Sequence, residues 1–222
     1  MAASSGHGER EAAVERVEEA QKVADSTVRE KLMSAAIALF ARKGYAATTV
    51  REIVEAARVT KPVLYYHFGS KEGIFLAMMR EALAEFEATV ASALTGGGKA
   101  QARILRFLDQ MLALLLQHLD VMRVLDAIYY GPPQGAPFFD FEAIHQRFIE
   151  VLTGLVREGM ASGEFRKGNP EEVAWALVGP FEVTRGMSLC HPEMDFGRDR
   201  LARLLEVVFD GVRAKREKER GR

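Results

Sequence analysis

The stretch "TTVREIVEAARVTKPVLYYHFGSKE", residues 48–72, carries the signals of two short helices in close succession. Thr49 and Glu52 have the Thr-x-x-Glu spacing of a capping box, which begins a helix. Four residues supply the apolar side of that helix: Val50, Ile53, Val54 and Ala57. Thr60 can cap a second helix, with Pro62 in the first turn, where a missing N–H costs little. Two short helices joined by about three residues match a helix-turn-helix.

The second of these helices is too polar and too aromatic to be a buried core helix. Val63, Leu64 and Phe68 can anchor it to its own domain, which leaves six residues to face outward: Thr60, Lys61, Pro62, Tyr65, Tyr66 and His67. In a helix-turn-helix this helix enters the major groove of DNA. Lysine can donate to guanine, proline and tyrosine rings can touch thymine methyls, and tyrosine hydroxyls can hold phosphates. The pattern therefore predicts binding to double-stranded DNA.

The charge distribution agrees with a DNA-binding segment. Between residues 26 and 71 there are eight lysines and arginines and three acids, a net charge of +5, whereas the whole chain carries −1. The remaining residues therefore carry −6. A basic module attached to an acidic body is typical of proteins that bind nucleic acid.

The helical period continues through the rest of the chain, and the alternation expected of strands is absent. We therefore expect an all-α protein with an N-terminal three-helix helix-turn-helix domain and a larger helical domain. The predicted divisions are an acidic N-terminal extension over 1–25, flexible or a frayed helix, the DNA-binding domain over 26–72, a helical domain over 73–217 and a basic tail over 218–222.

Several classes of protein are disfavoured by composition. The single cysteine, Cys190, cannot form an intramolecular disulfide and fits a reducing compartment. No signal peptide or run of about 18 apolar residues is present, so we expect a cytoplasmic protein that does not enter a membrane. Catalytic signatures and metal-ligand spacings are absent as well. The sequence therefore predicts no enzyme, no cofactor and no metal.

Residues 29–75, "REKLMSAAIALFARKGYAATTVREIVEAARVTKPVLYYHFGSKEGIF", closely resemble the DNA-binding domain of the TetR (tetracycline repressor) family. The resemblance is nearly continuous over a fifth of the chain. It implies a homodimer that binds a palindromic operator, represses transcription and is released by a small-molecule effector. By this resemblance Thr49 and Arg51 join the six outward residues on the DNA side, and Lys71 meets a phosphate. Arg58 stands where the family usually has a turn glycine, and in a left-handed conformation it would cost roughly 1 kcal/mol.

The larger domain offers candidates for the effector site and the dimer interface. We expect an apolar or aromatic effector held among the helices from about 104 to 187, beside a gate formed by "GPPQGAP", residues 131–137. The candidate effector residues are Met111, His118, Met122, Tyr129, Phe138, His145, Phe148, Trp175, Phe181 and Arg185. The last two long helices are expected to form the dimer through the stripe Leu201, Leu204, Leu205, Val208 and Val212.

Two other functions fit the same sequence. The chain is alternatively a helical enzyme that merely contains a helix-turn-helix hairpin, or a helical module whose basic face binds an acidic protein. The outward Lys-Pro-Tyr-Tyr-His surface and the lack of a catalytic set favour DNA binding over both.

Overall fold

A computed structural model of the chain describes residues 5–194 and 196–213, with side chains from residue 23 onward. These residues form nine α-helices and one isolated β-bridge, between Phe165 and Arg213. The predicted all-α class is confirmed. The helices are α1 (Ser5–Lys43), α2 (Val50–Ala57), α3 (Lys61–Phe68), α4 (Lys71–Thr95), α5 (Ala100–Gln117), α6 (Leu119–Tyr129), α7 (Phe141–Ala161), α8 (Pro170–Cys190) and α9 (Arg198–Val212).

The chain divides into two compact units. The first comprises the chain up to Met78 together with Tyr130–Pro137, and the second comprises Met79–Tyr129 and the chain from Phe138 onward. The predicted acidic extension over 1–25 lies partly in α1, which begins at Ser5 and continues without a break to Lys43. Residues 1–4 and the predicted basic tail over 218–222 lie outside the described residues.

The first unit is built around the side chains that α1 to α4 turn inward. Its fully buried members include Leu32, Ala36, Ile53, Leu64, Ile74 and Phe75. Gly44 ends α1 at a φ of +85°, a left-handed conformation that suits glycine, and its N–H donates to the Phe40 carbonyl. This arrangement presents α2 and α3 on a single small core.

The second unit has a larger core, to which α5, α7, α8 and α9 all contribute. The Phe148 ring lies between those of Phe107 and Phe181, with centroid distances of 5.3 Å and 5.2 Å. Helix α8 continues through Gly179 and Pro180 without a break. Pro180 has no N–H to continue the helical ladder, yet its carbonyl accepts from the Thr184 hydroxyl at 2.8 Å.

Candidate nucleic-acid interface

The turn between α2 and α3 is held by backbone hydrogen bonds and one left-handed residue. Arg58 has φ 56° and ψ 43°, and its N–H is shared between the carbonyls of Glu55 and Val54. The N–H of Val59 also donates to the Val54 carbonyl, at 3.0 Å. Arg58 is the one non-glycine residue with positive φ among the described residues, so the departure noted in the sequence has a conformational cost.

The beginning of α2 contains the predicted capping box, which is confirmed. The Thr49 hydroxyl accepts from the Glu52 N–H, and the Thr49 N–H donates to a Glu52 carboxylate oxygen at 2.9 Å. Lys43, the last residue of α1, donates to the other Glu52 oxygen at 2.5 Å. Lys43 and Thr49 together lower the pKa of Glu52 from its ordinary 4.5 to about 2, with the Lys43 hydrogen bond as the largest cause.

Helix α3 is fixed by one face and exposed on the other. Leu64 is fully buried, and the Arg29 guanidinium lies 5.2 Å from the Phe68 ring centroid. Tyr65 is 50% exposed and Tyr66 is 76% exposed. Three residues at the start of the helix are also exposed: Thr60, Lys61 and Pro62. Thr49 and Arg51 are exposed at the beginning of α2, so seven of the nine predicted DNA-contacting residues are open to solvent.

Three of the nine predicted contacts, the exposed Arg51 among them, have partners within the domain. His67 is half-buried, with its ring 5.0 Å from that of Tyr66. Arg51 is exposed and paired with Glu55 at 2.7 Å, which raises the pKa of the guanidinium. Lys71 donates to the carbonyls of Tyr45 and Thr48, at 3.0 Å each. Lys71 thus ties the start of α4 to the turn between α1 and α2.

Two residues that position this surface escaped the sequence analysis. Gly73 in α4 has no Cβ, and one placed there would stand 1.8 Å from the Phe68 carbonyl oxygen at the end of α3. Gln134 accepts a hydrogen bond from the Tyr45 N–H at 2.9 Å, across 89 positions of sequence. A glycine three residues into a helix was the only available signal for the first, and no sequence signal marks the second.

The predicted effector residues are not gathered in one place. Met111, Phe148 and Phe181 are buried in the core of the second unit. Four others are exposed: His118, Tyr129, Phe138 and Trp175. His118 is paired with Glu85, with 3.2 Å between nitrogen and oxygen, and the half-buried His145 ring lies 5.8 Å from Trp175.

The remaining two, Met122 and Arg185, line a shallow surface depression. Six further residues complete its lining: Leu112, Leu115, Leu116, Leu119, Ser188 and Leu189. One Arg185 nitrogen donates to both Asp126 oxygens at 2.9 Å, and another donates to Glu182. Burial opposes the charge on Arg185, but Glu182 and Asp126 raise its pKa. The guanidinium is therefore a charged group already held by two carboxylates.

The predicted dimer stripe on α9 faces largely into its own protomer. Leu201, Leu205 and Val212 belong to the core of the second unit, while Leu204 and Val208 are half-buried. Other apolar side chains are exposed on the last two helices: Trp175 and Val183 on α8 and Val207 on α9. The sequence period identified an apolar stripe without identifying what covers it.

Other kinds of site find little support in the described chain. No helix there is long and apolar enough to cross a membrane. Within the same residues no group of three or more histidine, cysteine or acidic side chains could hold a metal ion.

Comparison with known proteins points to one family. Residues 32–78 match the profile described as "Bacterial regulatory proteins, tetR family". The HTH-type transcriptional repressor KstR2 of Rhodococcus jostii is 27% identical over 154 residues, which are 68% of this chain and 74% of that protein. The A-factor receptor protein of Streptomyces griseus is 30% identical over 177 residues, 75% of this chain and 55% of that protein.

A solved structure shows the same fold. The TetR family transcriptional regulator PfmR from Thermus thermophilus superposes with a TM-score of 0.65 at 24% identity, over 80% of this chain and 96% of that chain. The matched residues 32–78 include the whole of α2 and α3, and therefore the exposed surface of α3. The chain therefore belongs to the tetR family of bacterial regulatory proteins, which are DNA-binding transcriptional regulators and not enzymes.

Proposed function

We propose that this protein is a dimeric transcriptional repressor that reads a two-fold operator with α3 and is released from it by a small apolar molecule. The observation that carries the proposal is the division of α3 into two sides. Leu64 is buried to hold the helix, while Tyr65 and Tyr66 stand open to solvent beside Lys61. Large aromatic side chains left exposed on an otherwise well-packed domain indicate a binding surface.

Arg58 and Arg51 provide exposed cations at the edge of this surface. Phosphate contacts fix the register of a protein on DNA, whereas contacts to base edges select the sequence. Arg58 lies in the turn immediately before α3, where an exposed guanidinium is well placed for a phosphate. The residues at the start of α3 are those that meet base edges in a helix-turn-helix. We therefore assign Lys61, Pro62 and Tyr65 to sequence recognition.

The DNA-binding part of the proposal is tested by selecting duplexes from random-sequence DNA and measuring their affinities by fluorescence anisotropy. A selected duplex should bind at least 1,000-fold more tightly than a shuffled one, as is typical of specific regulators at physiological salt. The logarithm of the affinity should fall linearly with the logarithm of salt concentration, by about 0.9 for each phosphate neutralised. Equal affinity for selected and shuffled duplexes would rule out the proposal.

The dimer part is supported by α8 and α9. These helices pack against each other in the chain and leave apolar side chains exposed on their outer faces. Val183 and Val207 are more than half exposed. The exposed residues of α8 around Val183 include Ala176 and Gly179, small side chains that allow a second helix to approach closely. Two such helices from each protomer would pack at the usual 8–10 Å between axes. The two copies of α3 would then stand about 34–36 Å apart, one turn of DNA.

The effector part is supported by the leucine-rich depression beside Arg185 and by a relative named a receptor. Six of its eight lining residues are apolar, which favours an apolar ligand. The depression has no enclosed space even for a water molecule, whereas most ligand sites measure 300–1,000 Å³, so binding must widen it. A ligand that favours the widened state releases DNA only if that state binds the operator less well.

A screen of small apolar molecules for release of the selected duplex tests this part. An active molecule should lose its effect when Leu115→Trp fills the depression, while the variant keeps its affinity for the duplex. Retention of the full response by Leu115→Trp would place the effector elsewhere.

A further inference from the structure

The segment Tyr130–Pro137 belongs structurally to the DNA-binding unit although the chain on both sides of it belongs to the other unit. It follows α6, which ends at Tyr129, and precedes α7, which begins at Phe141. The DNA-binding unit is therefore completed by a loop from the second half of the sequence. A loop of three prolines and two glycines has no helical ladder of its own, so its place depends on the contacts that it makes.

The loop is seated by the side chain of Gln134. Its Oε1 accepts from the Tyr45 N–H at 2.9 Å, at a part-buried position. The same oxygen would stand 2.8 Å from a Cβ on Gly44, so the carboxamide fills the space beside the residue that ends α1. A side chain other than hydrogen at position 44 would meet this oxygen directly. The absence of a side chain at Gly44 thus makes room for Gln134.

Tyr45 is the residue through which this contact reaches α2. The Tyr45 ring packs against the rings of Phe40 and Phe75, with centroids 5.2 Å and 5.3 Å away. The Tyr45 carbonyl accepts from Lys71, which also binds the carbonyl of Thr48. Thr48 immediately precedes the residue that caps α2. The turn between α1 and α2 is therefore held through its carbonyls by Lys71 of α4 and through the Tyr45 N–H by Gln134.

We propose that Gln134 is a positioning residue for operator recognition, which holds the turn at Tyr45 in the arrangement that presents α2 and α3 to DNA. The inference rests on the proposed function, because it assumes that α3 reads an operator. The loop is covalently continuous with α6 and α7, so a movement of either helix that withdraws Gln134 weakens operator binding. Operator binding and the seated loop then favour each other reciprocally.

The central experiment compares two variants at position 134 by the ratio of affinities for the selected and shuffled duplexes. Gln134→Met keeps the length of the side chain and removes the acceptor oxygen, and it should lower the ratio by about 3- to 10-fold, the usual worth of one hydrogen bond. Gln134→Glu keeps an acceptor oxygen and should retain the ratio, since its added charge affects both duplexes alike. Gln117→Met changes an exposed glutamine at the end of α5 and serves as the control.

The second measurement is hydrogen exchange at the Tyr45 amide of the wild-type protein, followed by NMR. Adding the selected duplex should slow this exchange by about 3- to 10-fold, because the coupling is reciprocal. An unchanged or faster exchange would overturn the inference. This arm needs no variant and decides the question even where Gln134→Met fails to fold.

The outcomes separate this inference from the proposed function. A wild-type protein that cannot distinguish selected from shuffled duplexes refutes the proposed function and removes the basis of the inference. A wild-type protein that distinguishes them, with Gln134→Met within twofold of its ratio, refutes the inference alone. A lowered ratio in Gln134→Met, its recovery in Gln134→Glu and a slowed Tyr45 amide together establish the role of Gln134.

Discussion

Lys71 holds Tyr45 at two points, since its ammonium donates to the Tyr45 carbonyl at 3.0 Å and lies 4.2 Å from the centroid of the Tyr45 ring. The same ammonium donates to the carbonyl of Thr48, at the entrance to α2. The family resemblance implies a phosphate contact for Lys71. In the structure Lys71 also holds the turn between α1 and α2. A lysine with two carbonyl partners is fixed in place, so the phosphate contact that the resemblance implies would cost little further side-chain entropy.

Lys71→Met should therefore reduce both stability and DNA binding. Removing a charged donor from two carbonyls should lower the free energy of unfolding by about 2 kcal/mol. The affinities for selected and shuffled duplexes should both fall, because a phosphate contact carries no sequence information. Their ratio should fall as well, because Lys71 also holds the turn at Tyr45 that presents α2 and α3 to DNA. Chemical denaturation and fluorescence anisotropy measure the two effects. An unchanged ratio of the two affinities would show that the hydrogen bonds from Lys71 to this turn do not affect sequence recognition.

Gly73→Ala should abolish specific DNA binding by displacing α3. The added Cβ would stand 1.8 Å from the backbone carbonyl of Phe68, so the last turn of α3 must move away from α4. Overpacking of this kind costs about 1–3 kcal/mol or more. The matched control is Gly154→Ala in α7, where no atom lies within 4 Å of the new Cβ and alanine should stabilise the helix by up to about 1 kcal/mol.

Thermal unfolding and anisotropy with the selected duplex distinguish these two glycine variants. Wild-type affinity in Gly73→Ala would mean that α3 tolerates a shift at its end. Such a result would also weaken the case that the exact placement of α3 matters for recognition.

Structural features that depend on residues close together in the sequence could be predicted from it. The Thr49–Glu52 spacing predicted the capping box, because that motif depends on residues within one turn of each other. The all-α class followed from apolar periodicity in the same way. The buried Leu64 and the exposed tyrosines beside it in α3 also agree with the sequence pattern.

Contacts between residues far apart in the sequence could not be predicted from it. Nothing near Gln134 in the sequence indicates that it meets Tyr45, since the contact exists only after both segments have folded. The α9 stripe shows a different limit. Leu205 and Val207 are two positions apart and equally apolar, yet the first is buried in the core and the second is 71% exposed. Periodicity identifies a face, but the packing of α9 decides whether its own protomer covers that face.

Arg58→Gly should raise the stability of the protein and lower its affinity for DNA. A left-handed arginine costs about 1 kcal/mol relative to glycine, so the variant should be more stable by up to about that amount. If the guanidinium holds a phosphate, the affinities for selected and shuffled duplexes should both fall and the slope of log affinity against log salt should shrink by about 0.9. Unchanged affinity and slope would exclude a phosphate contact at Arg58.

The pair formed by Lys43 and Glu52 makes the domain sensitive to acid. The folded pKa of Glu52, about 2, lies below its ordinary 4.5, so the carboxylate stabilises the folded state fully above pH 4.5. That stabilisation is lost as the pH falls from 4.5 towards 2. Glu52→Gln retains a capping side chain but cannot titrate, so its melting temperature should fall less than that of the wild type over this range.

Circular dichroism melts at half-unit steps of pH measure this difference. Lys43→Met removes the largest cause of the lowered pKa and should flatten the profile in the same direction. Parallel profiles for the wild type and Glu52→Gln between pH 4.5 and 2 would contradict the role assigned to the pair.

Val207→Arg should convert the proposed dimer to monomers without unfolding the protomer. The side chain is 71% exposed on α9, so an arginine is accommodated in the isolated chain. In a two-fold interface the two arginines would face each other, and like charges so placed cost several kcal/mol. The dissociation constant of the dimer should therefore rise by about 100-fold or more, as measured by sedimentation velocity.

Leu94→Arg, at an exposed leucine of α4, is the control and should remain dimeric. A monomeric Val207→Arg should still bind a single half-site but lose the tight binding of the full operator, whereas a variant that stays dimeric would exclude this face of α9 from the interface.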